Sequence, residues 1–302
     1  MNTDDSTARR DREWLDADGN PIDEDHRGLV YDIRTLVNRR RALGIFGGVA
    51  LTSLLAACGA TDDTDAAATP SSTGSATPST TPSAAATTEA EASVPLDEVP
   101  DETAGPYPAD GSNGVDVLDD SGIVRADIRS SFGSSTTVAE GVPLTIALTV
   151  RDAATEAALA GRGVYLWHCD RDGSYSLYSR GVENENYLRG VQQTDANGTV
   201  TFNSIYPACY SGRWPHIHFE VYDDIATAVA SGPIVKTSQI ALPPETNDAV
   251  YATSGYEQSV RNASQVSLQS DNVFRDDEAV HQLASMSGSV ATGYTAALTI
   301  GV

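Results

Sequence analysis

VPLTIALTVR, residues 142–151, sets Leu144, Ile146, Leu148 and Val150 on alternate positions, with Thr145, Ala147, Thr149 and Arg151 between them. A period of two sends the first set to one face of an extended chain and the second to the other, so the stretch predicts a strand with one buried face. Shorter runs of the same character follow at residues 163–169 (GVYLWHC), 198–202 (GTVTF), 216–222 (HIHFEVY), 232–240 and 295–302. Asp-Gly, Asn-Gly and Pro-rich turns separate them. A short helix is expected around residues 248–260. Many short strands without alternating helices define an all-β chain, a sandwich of mostly antiparallel strands with few short helices. No internal repeat of about 20–50 residues is visible, which excludes a propeller or solenoid.

Composition narrows the partners. The chain has 302 residues, 19 Lys and Arg against 42 Asp and Glu, and a formal charge of -23. Such a surface repels phosphate backbones and anionic headgroups, so nucleic acid is excluded as a partner. The 3 cysteines are too few for a disulfide scaffold and lack the repeated spacing of a structural zinc site.

The longest apolar run, residues 42–57 (ALGIFGGVALTSLLAA), follows Arg39, Arg40 and Arg41 and ends at Cys58. It is short for a spanning helix and suits the hydrophobic region of a signal peptide. Leu55-Ala56-Ala57-Cys58 resembles a bacterial lipobox, and the arginine cluster resembles a twin-arginine export signal. Residues 1–57 are therefore expected to be a leader with an export signal, and Cys58 the lipidated first residue of an exported protein anchored to the outer face of a bacterial cell membrane. Cleavage there removes eight basic and ten acidic residues and leaves a charge of -21. Residues 58–95, rich in Ala, Thr, Ser and Pro, hold too few large apolar groups to offset chain entropy and read as a disordered tether. Residues 96–302 are then the folded domain.

Within that domain His216 and His218 project to one face of their strand, and Ile217, Phe219 and Val221 to the other. A His-x-His pair alone serves equally as two hydrogen-bonded histidines or as two metal ligands. Its surroundings carry more information: Trp167 and Asp170, Gly173 and Tyr175, Arg189-Gly190, Thr194-Asp195 with Gly198, Pro207 with Tyr210, and Arg213 three residues before His216.

In order and spacing these motifs resemble those of the intradiol ring-cleavage dioxygenases, the non-haem iron(III) family that includes catechol 1,2-dioxygenase and protocatechuate 3,4-dioxygenase. Upstream, Thr103-Ala104-Gly105-Pro106-Tyr107 resembles the family's Thr-x-Gly-Pro-Tyr stretch. The resemblance implies that Tyr175, Tyr210, His216 and His218 hold Fe(III), with Tyr210 the ligand that substrate displaces. It implies Arg213 beside the substrate ring, Gln239 as the active-site glutamine, and Thr103 and Tyr107 lining the pocket. The implied reaction, a step of aromatic compound catabolism, cleaves a catechol-type ring with O2 to a muconate-type dicarboxylic acid. A sandwich that binds phenolics or carbohydrate without cleaving them is the alternative, since fold does not fix function. His168 reads as a structural neighbour of the site. Cys169 and Cys209 lie close to the ligand motifs and, in an exported domain, are expected to form a disulfide.

Overall fold

The computed structural model describes residues 96–302; the leader, Cys58 and the tether lie outside the described residues. Eight strands and three short helices follow in the order β1 (Pro143–Arg151), β2 (Gly163–Trp167), β3 (Arg189–Gln193), β4 (Thr199–Ile205), β5 (His216–Tyr222), α1 (Ile225–Val229), β6 (Ile234–Ala241), α2 (Pro244–Tyr251), α3 (Glu257–Ala263), β7 (Ser285–Ser289) and β8 (Gly293–Gly301). They form two four-stranded sheets, β4-β1-β8-β7 and β3-β2-β5-β6. Every neighbouring pair is antiparallel except β1 and β8, which run parallel. The all-β sandwich expected from the alternation is the fold observed. Among the described residues no helix is long and apolar enough to cross a membrane.

The period-two face of β1 does what its sequence dictates. Leu144, Ile146, Leu148 and Val150 enter the main core, where they meet Val200 and Phe202 of β4, Val164 and Leu166 of β2, and Ile217, Phe219 and Val221 of β5. The opposite face of β1 stays partly exposed. β2 and β5, by contrast, are buried at every position. Their second face packs under residues 104–123, whose Ala104, Tyr107, Ala109, Val117, Leu118 and Ile123 form a second core with Tyr165 and Trp167 of β2 and Tyr222 of β5. One sheet therefore has a single buried face, and the other is sandwiched between two cores.

Several elements lie outside the expected pattern. β3 (RGVQQ) and β7 (SMSGS) lack an apolar alternation, because their pairing rests on backbone bonds to β2 and β8. The single helix expected at residues 248–260 is two helices, α2 and α3, divided near Gly255, whose φ of +94° suits a residue without Cβ. α1 starts at Asp224, which accepts a bond from the amide of Thr227 as an N-cap.

Phe219 is fully buried between the sheets. Phe219→Ala is expected to lower unfolding free energy by about 3–5 kcal/mol, a loss to be read as a reduced midpoint in urea with an unchanged slope.

Candidate metal centre

The register of the doubly buried sheet places Arg189, Trp167, His218 and Gln239 side by side in one row across β3, β2, β5 and β6. His216 stands one step along the same face of β5, opposite Ala241. The indole of Trp167 stacks on His218 with ring centroids 4.9 Å apart and planes 5° from parallel. The covering segment comes close at Gly105, with φ +70°, where a Cβ would lie 3.2 Å from Cε1 of His218. The positive φ favours glycine, and a Cβ would press against the His218 ring.

Four polar groups converge here. Nε2 of His216 and Nε2 of His218 are 3.1 Å apart, and the Tyr210 hydroxyl lies 3.3 Å from the former. The Tyr175 ring packs edge-on against Tyr210 and His218, with centroids at 6.0 and 6.3 Å. His216 donates through Nδ1 to the carbonyl of Trp214 at 2.6 Å, so its Nε2 lone pair faces the centre. Burial first, then the Arg213 charge, holds His216 well below the usual imidazole range; burial and His216 do the same for His218. Both rings are neutral, the form that binds metals. Burial, followed by the nearby Tyr210, pushes the Tyr175 phenol well above its usual value. Its buried hydroxyl finds no hydrogen-bond partner of good geometry, nor does Nδ1 of His218.

These features fit a cation. Among the described residues no cluster of three His, Cys, Asp or Glu side chains could hold one, so a centre at this place draws on phenol oxygens beside the imidazoles. Two imidazoles and two hard oxygen donors suit iron, and tyrosinate is a ligand iron accepts. The Tyr175 hydroxyl, buried beside Tyr210 without a well-aligned partner, would be satisfied by coordination.

The loops that present the tyrosines are built locally. Asp170 Oδ1 accepts from the amides of Asp172 and Ser174, both at 2.9 Å, folding the turn that delivers Tyr175. Tyr187 donates to the other Asp170 oxygen at 3.0 Å. Buried Arg189 then ties the Tyr175 loop to the covering segment: it donates to the hydroxyl and carbonyl of Ser176, both at 3.0 Å, and to the carbonyl of Pro108 at 3.2 Å. The Tyr210 loop is braced by the helices. Ser259 and Asn262 of α3 bond to the Cys209 backbone at 3.1 and 2.8 Å, and Tyr251 of α2 donates to the Pro207 carbonyl at 3.2 Å. A cavity of about 220 Å³ opens beside Tyr210, lined also by Asp172, Gly173, Ser174 and Ser211.

Arg213 is buried. It donates to Asp271 from Nε at 3.0 Å and to Gln239 Oε1 from Nη2 at 2.7 Å. Gln239 in turn donates to the carbonyl of Thr103 at 2.8 Å. Tyr107 packs on Tyr175 with centroids 4.7 Å apart. Tyr107 thus touches the quartet, Gln239 stands beside His218 in the sheet, and Arg213 and Thr103 are tied to Gln239. His168 stands apart, bridging to β4 through Ser204 at 2.7 Å, and burial lowers it to about 4. The motif Thr194-Asp195-x-x-Gly198 serves the β3–β4 turn: Asp195 accepts from the amides of Asn197 and Thr199, at 2.8 and 2.9 Å.

The expected disulfide is not formed. Cys169 and Cys209 are buried thiols whose side chains enter different cores, Cys169 beneath the covering segment and Cys209 between the sheets. Cys209 Sγ faces the Arg213 carbonyl at 3.4 Å, while Cys169 Sγ faces that of Ala208 at 3.7 Å. Proximity of two motifs in space does not align two Cβ vectors.

Motif reading assigned no role to Asp271, Glu102 or Gly105. Gly105 was marked only as part of the stretch Thr103-Ala104-Gly105-Pro106-Tyr107, with no role of its own. Nothing in the sequence near Asp271 marks it, since its partner is 58 residues away.

Residues 129–228 match the family described as Dioxygenase, a segment that contains all four converging residues and Arg213. In overall fold the chain is similar to an intradiol ring-cleavage dioxygenase from Tetranychus urticae, at 24% identity over 60% of this chain and 87% of that one, with a TM-score of 0.50. The dioxygenase domain of a dioxygenase and carbohydrate-binding fusion from Streptomyces sp. SirexAA-E matches at 23% identity over 68% and 98% of the two chains, with a TM-score of 0.43. Catechol 1,2-dioxygenase from Pseudomonas arvilla C-1 matches at 18% over 58% and 55%, with a TM-score of 0.36. No curated protein matches the chain.

Glu102, next to Thr103, is raised to about 8: burial acts first and Asp276 next, Arg213 opposes, and Asp277 and Asp271 add. The folded state therefore keeps this proton at neutral pH where the unfolded chain releases it near the ordinary value of 4.5. Stability contributed at this position is full below about 4.5 and falls as pH rises towards about 8. Glu102→Gln should melt at a higher temperature than the parent at pH ~8 and at the same temperature at pH ~4; thermal melts at both values check this.

Proposed function

We propose that this chain is a non-haem Fe(III) intradiol dioxygenase that opens a catechol-type ring with O2 to a muconate-type dicarboxylic acid. The observation that carries the reading is the convergence of Tyr175, Tyr210, His216 and His218, with both imidazoles neutral and the Tyr175 hydroxyl buried without a well-aligned partner. The dioxygenase match over residues 129–228 supports it.

In this reading those four side chains hold the iron. Two phenolates offset two of its three charges, which limits the cost of burying the ion. Ferric ion supplies the Lewis acidity and redox capacity that make a bound catecholate reactive towards O2. The chain's own residues do the rest. Tyr210 lies beside the cavity and is less buried than Tyr175, so its phenol oxygen would be the one placed to accept a proton from a substrate hydroxyl. Arg213, fixed by Gln239, stabilises negative charge developing on the ring. Trp167 and Gly105 hold His218 in place and keep water from its ring, while Tyr107 packs on Tyr175 and the Thr103 carbonyl holds Gln239.

The cellular setting belongs to the same proposal. Export and lipidation at Cys58, supported by Leu55-Ala56-Ala57-Cys58 after an apolar run, would hold the domain outside the membrane on its Ala/Thr/Ser/Pro-rich tether. Its acidic surface would disfavour carboxylated substrates.

The decisive measurement is the visible absorption spectrum of the purified, iron-loaded chain before and after anaerobic addition of catechol. A phenolate-to-iron charge-transfer band that shifts with catechol is expected, and Tyr175→Phe should weaken or shift it before catechol is added. A protein that stays colourless and iron-free after reconstitution would overturn the reading. For the anchor, Cys58→Ala should move the protein from the membrane fraction of expressing bacteria to the soluble one, as fractionation would show.

A further inference from the structure

Arg213 is held by more than its own strand and loop. Its Nε donates to Asp271 Oδ2 at 3.0 Å, and the same oxygen accepts the amide of Trp214 at 2.7 Å. The other carboxylate oxygen accepts the amides of Val273 and Phe274 at 2.8 and 3.2 Å. Asp271 is therefore locked by its own turn, and that turn is anchored by Val273, Phe274 and Ala279, which pack with Trp214 and Ala241. Both members of the ion pair are at most 1% exposed. Beyond Arg213 the line continues through Gln239 to the Thr103 carbonyl. A guanidinium is a rigid planar fork, so fixing Nε and one Nη fixes the direction of every remaining N–H.

We infer that Asp271 is a positioning residue for the active site: it fixes the direction of the Arg213 guanidinium, and through it the place of Gln239, before substrate arrives. The inference rests on the dioxygenase reading for what Arg213 acts upon, and on geometry alone for how Arg213 is held. Asp271 lies outside the segment that matches the dioxygenase family, residues 129–228, so the C-terminal part of the chain supplies the group that sets the family-like part in register. A group that acts through another shows non-additive effects when both are changed.

The test compares the iron-loaded full chain with Asp271→Asn, Arg213→Lys and the double variant, using catechol as substrate. Asp271→Asn should lower kcat/KM about tenfold, Arg213→Lys about a hundredfold, and the double variant should match Arg213→Lys within about twofold. In parallel, hydrogen exchange at the Arg213 Nε–H, assigned by its absence in Arg213→Lys, should quicken at least about tenfold in Asp271→Asn because the proton loses its buried acceptor. Losses that multiply in the double variant, or an exchange rate unchanged by Asp271→Asn, overturn the inference. If the parent turns over no catechol, the exchange measurement alone decides the positioning. Should Asp271→Asn not fold, Asp271→Glu is read by the same two criteria, since it keeps the charge and displaces it by one methylene.

Discussion

A strand buried on both faces has to satisfy polar groups on the face it does not devote to the core, and β5 is such a strand. Ile217, Phe219 and Val221 fill the space between the sheets, while His216, His218 and Glu220 stand on the other side, all at most 2% exposed. Burying them without partners would cost several times what an apolar residue gains there. The covering segment reduces that cost. Near residues 103–108 it forms no ladder with the sheet, so its carbonyls need donors. Tyr165 and Arg189 donate to the carbonyl of Pro108, and Gln239 to that of Thr103. The same bonds that satisfy an irregular backbone fix the sheet's polar row, and with it the ground on which the four converging groups stand.

Two buried arginines bracket the centre and differ in how they are compensated. Arg213 has a carboxylate, Asp271. Arg189 donates to hydroxyls and carbonyls of three separate segments and sits over the Tyr178 ring at 5.5 Å. Their positive charge adds to burial in keeping His218 unprotonated. A protonated imidazole offers no lone pair, so the arginines help preserve a site able to receive a cation despite being cations themselves. Donors of opposite character are thus held together by a common exclusion of water.

The sandwich was legible because β1, β4 and half of β5 write their buried face in Leu, Ile, Val and Phe at every second position. β7 was not, because Ser285-Met286-Ser287-Gly288-Ser289 carries no apolar alternation and joins the sheet through its backbone. The quartet Tyr175, Tyr210, His216 and His218 could be named only through a resemblance of motif order. Periodicity alone reaches the two histidines, and no local rule brings to them tyrosines presented by separate loops. Asp271 is harder still. Its meaning lies in a contact with Arg213 across the fold, and a solitary aspartate in a Ser- and Gln-containing turn looks like any solvated one.

The cysteines show the limit of reasoning from nearness. Cys169 follows β2 at the start of the loop that leads to Tyr175, and Cys209 precedes Tyr210, so the two ligand loops bring them near one another in the fold. Yet Cys209 turns inward between the sheets and Cys169 turns under the covering segment. Burial, reinforced by Asp271 and opposed by Arg213, raises the Cys209 thiol to about 12. A thiol so far from ionisation attacks disulfides slowly in any redox environment. Unlinked cysteines here are therefore compatible with an oxidising exterior as well as a reducing interior, and the proposal of export rests on the arginine cluster, the apolar run and Leu55-Ala56-Ala57-Cys58.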